Sequence, residues 1–145
     1  MDKFDRALLS ALLDNARLSF AELARRINLS PPAVADRVAR LEAEGLISGY
    51  HASVDLERLG RPIQCLIELR LLNHGCNGVL EELAEIPQLI DCYRVTGESC
   101  VMLKAAVAST GELQELIDRL MKYGASKTSL ILSTPFQGRV RGALL

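Results

Sequence analysis

Between Ser19 and Gly45 the chain reads SFAELARRINLSPPAVADRVARLEAEG, the stretch that most narrows what it can fold into. Ser19 and Glu22 stand at the spacing of a capping box, in which each side chain satisfies a backbone N–H at a helix start. Leu18 with Leu23 fits the hydrophobic staple that accompanies such a box. The arrangement repeats at Ser30, an N-cap residue followed by Pro31 at the first helical position, where a missing N–H costs nothing; Leu29 and Val34 form the second staple. Asn28 lies in the short turn between the helices and tolerates the left-handed backbone such a turn needs. Two capped helices joined in this way are a helix-turn-helix, a unit whose second helix enters the DNA major groove.

Hydrophobic periodicity supplies the support for that unit. From Asp2 to Asn15, Phe4, Leu8, Ala11 and Leu12 share one helical stripe; Leu23, Ala24 and Ile27 turn inward on the next helix, and Val34, Val38 and Leu41 on the third. These stripes predict a three-helix core. Opposite the buried stripe of the third helix lie Pro32, Asp36, Ala39 and Arg40, with Ala33 and Arg37 on the flanks. Arg37 and Arg40 can reach guanine edges or phosphates. The candidate DNA-binding set is Ser30, Pro32, Ala33, Asp36, Arg37, Arg40, Arg25 and Arg26. The bland reading is a solvated face on which Asp36 and Arg40 make an i,i+4 pair of little energetic weight, with Ser30 serving as a cap alone.

Bulk charge does not carry the DNA reading, because 17 cations against 18 acids leave a net charge of −1. Distribution does: from Arg17 to Arg40 the cations Arg17, Arg25, Arg26, Arg37 and Arg40 stand against only Glu22 and Asp36. One copy is expected to bind double-stranded DNA weakly, and avidity from a homo-oligomer is the natural remedy.

A hydrophobic content of 49 % in 145 residues marks a globular protein with a sizeable core. Apolar stretches such as Ser129–Leu132 and Cys100–Val107 are far shorter than a bilayer span, and Asp2, Asp5 and Arg6 exclude a signal-peptide core, so a cytoplasmic protein without a membrane partner is expected. Cys65, Cys76, Cys92 and Cys100 fit neither a redox pair nor a zinc ribbon and read as buried thiols. His51 and His74 are not spaced as a metal pair. No catalytic triad, paired carboxylates or phosphate-cradling glycine loop emerges, so no metal, no cofactor and no enzymatic activity are expected.

Gly45 stops the third helix, and the run from Leu46 through Val54 reads as a strand, either a vestigial wing or a linker. Gly60 and Pro62 mark a domain boundary. Beyond it, Ile63, Cys65, Ile67, Leu69 and Leu71 alternate with polar residues as a half-buried strand does, Leu66 excepted. A helix over Gly78–Ile86 precedes strands at Leu89–Val95 and Cys100–Val107, joined by Thr96-Gly97-Glu98-Ser99. Ser109 and Glu112 form another capping box ahead of a helix ending near Gly124, and Lys127–Pro135 is the last strand. The order β-α-β-β-α-β describes a ferredoxin-like sheet with helices on one face. The fold class is therefore α+β: a helix-turn-helix domain, with or without a wing, over 1–50, a linker strand and hinge over 51–61, a ferredoxin-like domain over 62–137 and a tail over 138–145. The second sheet face, with Leu66, Ile131 and one side of Leu89–Val95, is apolar enough to mark an association surface.

With these two units in this order, the chain resembles the Lrp/AsnC (feast/famine) family of transcription regulators. The resemblance rests on Asp2-x-x-Asp5-x-x-x-Leu9, Asn15-Ala16-Arg17-Leu18-Ser19, Leu29-Ser30-Pro31 and Arg37-Val38-x-x-Leu41-Glu42-x-x-Gly45-x-Ile47, and on Val95-Thr96-Gly97 in the carboxyl half. It implies a homodimer joined through its sheets, often assembled into a tetramer or octamer, with a small effector, commonly an amino acid, sensed in the carboxyl-terminal domain. The family's loop usually continues Gly-Asp-aromatic-Asp, whereas here it reads Gly97-Glu98-Ser99-Cys100. The candidate effector set is Thr96, Gly97, Glu98, Ser99 and Cys100, with Ser133 or Thr134 from the last strand. In it Glu98 would face an α-amino group, and turn amides or hydroxyls the carboxylate. The competing reading is a hairpin turn without a ligand. Two other functions share the architecture: a sirohaem decarboxylase, which would need a histidine in the sheet-side cavity, and an effector-independent DNA-organising protein.

Overall fold

In the computed structural model, described for residues 1–72, 77–98, 100–138, 140 and 144, the chain divides into two compact units. One is Met1–Ser53 together with Phe136–Leu145, the other Val54–Pro135. Ser99, His74 and Cys76, singled out by the sequence, lie outside the described residues.

The first unit is three helices, α1 (Lys3–Asp14), α2 (Phe20–Ile27) and α3 (Pro31–Ala43). Each begins where a side chain satisfies the first free N–H groups. Asp2 accepts from the N–H groups of Phe4 at 2.8 Å and Asp5 at 2.9 Å, and Asp5 in return accepts from the Asp2 N–H at 2.9 Å. Ser19 and Glu22 form the same reciprocal box at α2, and Ser30 caps α3 through the Ala33 N–H. Asn28 closes α2 in the left-handed conformation, φ 56° and ψ 49°, and so turns α3 sharply back. After α3, Gly45 takes φ +72° and the Ile47 N–H returns to the Leu41 carbonyl at 3.1 Å, which docks Ile47 on the core. Leu8, Leu23, Val34 and Leu41 are fully buried at the centre, each contributing about 1.5–3 kcal/mol.

The run from Leu46 to Val54 does not form the expected strand, and among the described residues no strand lies between Ala43 and Ile63. Its alternation is real, but within one chain it has no neighbouring ladder to pair with, so Leu46, Tyr50 and Val54 stay exposed. The hinge ends instead in a turn in which the Arg61 N–H reaches the Leu56 carbonyl at 2.8 Å.

The second unit has the order β1 (Ile63–Leu71), α4 (Asn77–Ala84), β2 (Leu89–Arg94), β3 (Val101–Val107), α5 (Thr110–Leu120) and β4 (Gly124–Leu130). The strands lie as β2-β3-β1-β4, each pair antiparallel. This is the expected β-α-β-β-α-β sheet. The row Cys92, Leu103, Ile67 and Thr128 faces the helices, and Leu83, Ile86, Leu116, Leu120 and Tyr123 complete that core. Cys65 is buried as expected, but Cys92 is exposed, because β2 is an edge strand, and Cys100 is half-buried.

On the other sheet face the register aligns Tyr93, Met102, Glu68 and Lys127 in one row and Asp91, Lys104, Leu66 and Ser129 in the next. Leu66 and Tyr93 are exposed there, so the face is mixed: apolar residues sit among Glu68, Arg70 and Lys127. Ile131 is half-buried and lies past the end of β4.

Candidate functional site

Two constellations emerge, one in each unit. In the first, α2 and α3 present the expected face: Ser30, Pro32, Asp36, Arg40, Arg25 and Arg26 are exposed, and Ala33 and Arg37 are half-buried. Arg25 and Arg26 occupy the last turn of α2, where the helix dipole favours cations.

Arg37 and Arg40 are both paired with carboxylates. Asp5, only 1 % exposed, accepts from Arg37 Nη1 at 2.6 Å and, through its two oxygens, from Arg40 Nη2 at 2.8 and 2.9 Å. Arg37 Nη1 also donates to Asp2 at 2.7 Å, and its guanidinium lies over the Phe4 ring, 5.4 Å from the centroid. The i,i+4 partner of Arg40 is Glu44, at 3.8 Å, rather than Asp36. The Asp5 N–H and the Arg37 guanidinium hold the Asp2 carboxyl down at about 2. Burial pushes Asp5 up, but the Asp2 N–H and the two arginines outweigh it and its pKa falls below the ordinary range. Sequence reasoning missed Asp5 as part of this site. The signals were present: a carboxylate three residues after an N-cap Asp, on the apolar side of an amphipathic helix, where a charge must have a partner.

In the second unit a cleft of ≈790 Å³ opens at the end of the sheet beside the turn after β2. Of the candidate effector residues, Thr96 and Glu98 line it, and a neighbouring cavity of ≈440 Å³ takes in Gly97, Glu98 and Cys100. Glu68, Arg70, Met102 and Lys127, which the sequence did not single out, line the larger cleft. Arg70 donates to the Glu98 carboxylate, and Lys127 lies 3.8 Å from Glu68, so the cleft holds two cations and two anions in exposed pairs. Such pairs contribute little to stability, at most about 1 kcal/mol each, and exchange readily for other partners.

Ser133 and Thr134 do not belong to this cleft within one chain. β4 runs from Gly124 to Leu130 instead of 127 to 135, antiparallel to β1, so Ala125, Ser126 and Lys127 stand beside Glu68 and Arg70. Residues 133 and 134 follow its far end, where the Ile131 N–H reaches the Gln64 carbonyl. His51 is exposed and outside both cavities. Among the described residues no group of three His, Cys, Asp or Glu could hold a metal ion, and no helix is long and apolar enough to cross a membrane.

Comparison with known proteins matches both units. A family model described as winged helix-turn-helix DNA-binding covers residues 1–48, and one described as the Lrp/AsnC ligand binding domain covers residues 64–141. The HTH-type transcriptional regulator LrpC of Bacillus subtilis is 34 % identical over 133 residues, 92 % of each chain. The solved structure of B. subtilis LrpC aligns with a TM-score of 0.89 at 32 % identity, over 96 % of this chain and 99 % of that one. A feast or famine regulatory protein from Mycobacterium tuberculosis, complexed with L-methionine, aligns with a TM-score of 0.90 at 31 % identity over 97 % of each chain.

Proposed function

Because the chain belongs to the Lrp/AsnC family of helix-turn-helix transcription regulators, we propose that it binds duplex DNA as a symmetric homodimer, with α3 of each copy in the major groove. The observation that carries this is the capped α2–Asn28–α3 turn, which leaves Pro32, Asp36 and Arg40 exposed on one helix face above a buried three-helix core. Dimers joined through the open sheet faces, and further assembled into a tetramer or octamer, would supply the avidity that a nearly neutral single copy lacks.

The cleft beside Glu98 is the effector site in this reading. Its two loosely held ion pairs suit a zwitterion, whose carboxylate would exchange onto Arg70 or Lys127 and whose ammonium onto Glu98 or Glu68. Met102 and Val95 in the lining favour an amino acid with an apolar side chain. The sirohaem decarboxylase alternative gains no support: the matched curated relatives are named as transcription regulators, and no histidine lines either cavity among the described residues.

Binding-site selection from random duplexes tests the DNA reading. The expected product is a pseudo-palindrome with half-site centres about one or more helical turns apart, roughly 34 Å per turn, so that both α3 helices meet the same side of the duplex. A selection that returns no inverted repeat counts against a symmetric dimer reading DNA through α3.

A further inference from the structure

We propose that Asp5, too buried to reach DNA, is a positioning residue that divides the work of the two recognition-helix arginines, presenting Arg40 as the base reader and holding Arg37 as a strut. The inference rests on the DNA-binding reading above and adds to it which side chain reads and what holds that side chain ready.

The two arginines differ in what they have left to give. Arg37 places Nη1 between Asp2 and Asp5, stacks on Phe4 and keeps only 23 % of its side chain exposed. It ties the start of α1 to α3. Arg40 is held at Nη2 alone, by both oxygens of Asp5, while 49 % of its side chain is exposed. Among the described residues its Nη1 has no acceptor and its Nε nothing closer than Glu44 at 3.8 Å, so Nη1 is the donor left free. An arginine anchored at Nη2 gives up its rotamer freedom on folding instead of on binding, so its exposed Nη1 meets a base acceptor already aligned, as a single directional donor.

Charge points the same way. Three acids, Asp2, Asp5 and Glu44, surround these two arginines, so the cluster offers phosphate no net attraction. A neutralised arginine retains its directional N–H donors, which is what base reading uses and phosphate holding does not need. The Asp5 carboxylate is itself fully satisfied by the Asp2 N–H and the two arginines, with no capacity left for a ligand.

The test uses the full-length chain, the duplex that it selects from a random pool, single-base variants of that duplex and an unrelated duplex. Arg40→Lys should lose about tenfold of its preference at one position per half-site. Asp5→Asn should lose preference at that same position by a similar factor, while its affinity for the unrelated duplex stays level or rises, since one acid has gone. The double variant should lose no more than either alone, because both changes remove one interaction. A merely structural Asp5 predicts an equal loss on every duplex, and that result overturns the proposal, as does Asp5→Asn with its preference intact. If Asp5→Asn does not fold, Arg37→Lys decides: preference must survive in it and fall in Arg40→Lys, and the reverse overturns the division of roles. A wild-type chain that selects no sequence at all defeats the DNA reading and this inference together. A selective wild type with an equally selective Asp5→Asn defeats this inference only.

Discussion

Gly124 faces the carbonyl oxygen of Arg70 so closely that a methyl group at position 124 would lie 1.9 Å from it. The contact opens β4 against the end of β1, opposite Leu71, and thereby sets Ala125 and Lys127 beside the cleft residues Arg70 and Glu68. The atom in the way is backbone and cannot swing aside. Gly124→Ala should therefore destabilise the fold by about 1–3 kcal/mol, as forced overpacking does, read as a lower denaturant midpoint at unchanged slope. An Ala variant as stable as wild type would mean that β4 can shift away from β1 without loss.

The same glycine shows where sequence reasoning stopped. The helices were legible because Ser19, Ser30 and Ser109 announce their starts and the leucine spacing follows the helical period. Alternation made β1 equally legible. β4 begins three residues before the run that marks it in the sequence, since Gly124-Ala-Ser-Lys-Thr-Ser is polar and small, and only its pairing with β1 makes it a strand. Pairing partners distant in sequence also explain the sites. Thr96, Gly97 and Glu98 could be found from the turn they share, but Arg70 and Lys127 join them only through the register of the sheet. Arg37 and Arg40 were found by helix periodicity, whereas their partner Asp5 lies 32 and 35 residues away in the chain.

Acid should unfold this protein along a predictable path. Asp2 and Glu112 are held at about 2 against ordinary values of 3.8 and 4.5, Glu112 by the Ala108 N–H, Gln88 and Arg61, and Asp5 is lowered as well. A carboxyl with a depressed folded-state pKa stabilises fully above its unfolded value and loses that contribution as pH falls toward the folded one. These groups should leave the melting temperature level from pH 7 to about 5 and pull it down between about 4.5 and 2. Thermal melts followed by circular dichroism check this. Glu112→Gln should melt lower at pH 7 and show a shallower fall in acid, and an equally steep fall would remove Glu112 from the explanation.

The effector reading is decided by thermal shift with the amino acids on the full chain. An apolar L-amino acid is expected to raise the melting temperature, because a ligand that binds only the folded state stabilises it by about 2.7 kcal/mol at a hundredfold excess over Kd. Glu98→Gln should diminish the shift, since it removes an acid that meets the ammonium while keeping the size of the side chain. An unchanged response in that variant would leave Glu98 as the exposed partner of Arg70 and nothing more. If no amino acid stabilises the wild type, the chain organises DNA without an effector or senses a different molecule.

Assembly should depend on the open sheet face. Leu66 stands in the middle of that face, opposite Lys104 on one side and Ser129 on the other, and remains 39 % exposed, with Tyr93 54 % exposed at the edge strand. A second copy laid on this face would remove both side chains from water, and burying a leucine side chain completely is worth about 1.5–3 kcal/mol. Leu66→Glu replaces that gain with the cost of taking a charge out of water at the centre of the interface, which its cross-strand neighbour Lys104 offsets only in part. The variant should dissociate at concentrations where the wild type sediments as a dimer or larger, by more than tenfold in Kd, with its melting profile at high dilution unchanged. Val54→Glu, in the exposed stretch between the two units' secondary-structure elements, serves as the comparison and should keep the wild-type sedimentation. If Val54→Glu separates the copies and Leu66→Glu does not, the alternating run after α3 is the assembly element: it would then form its strand by pairing with the same run of a second copy.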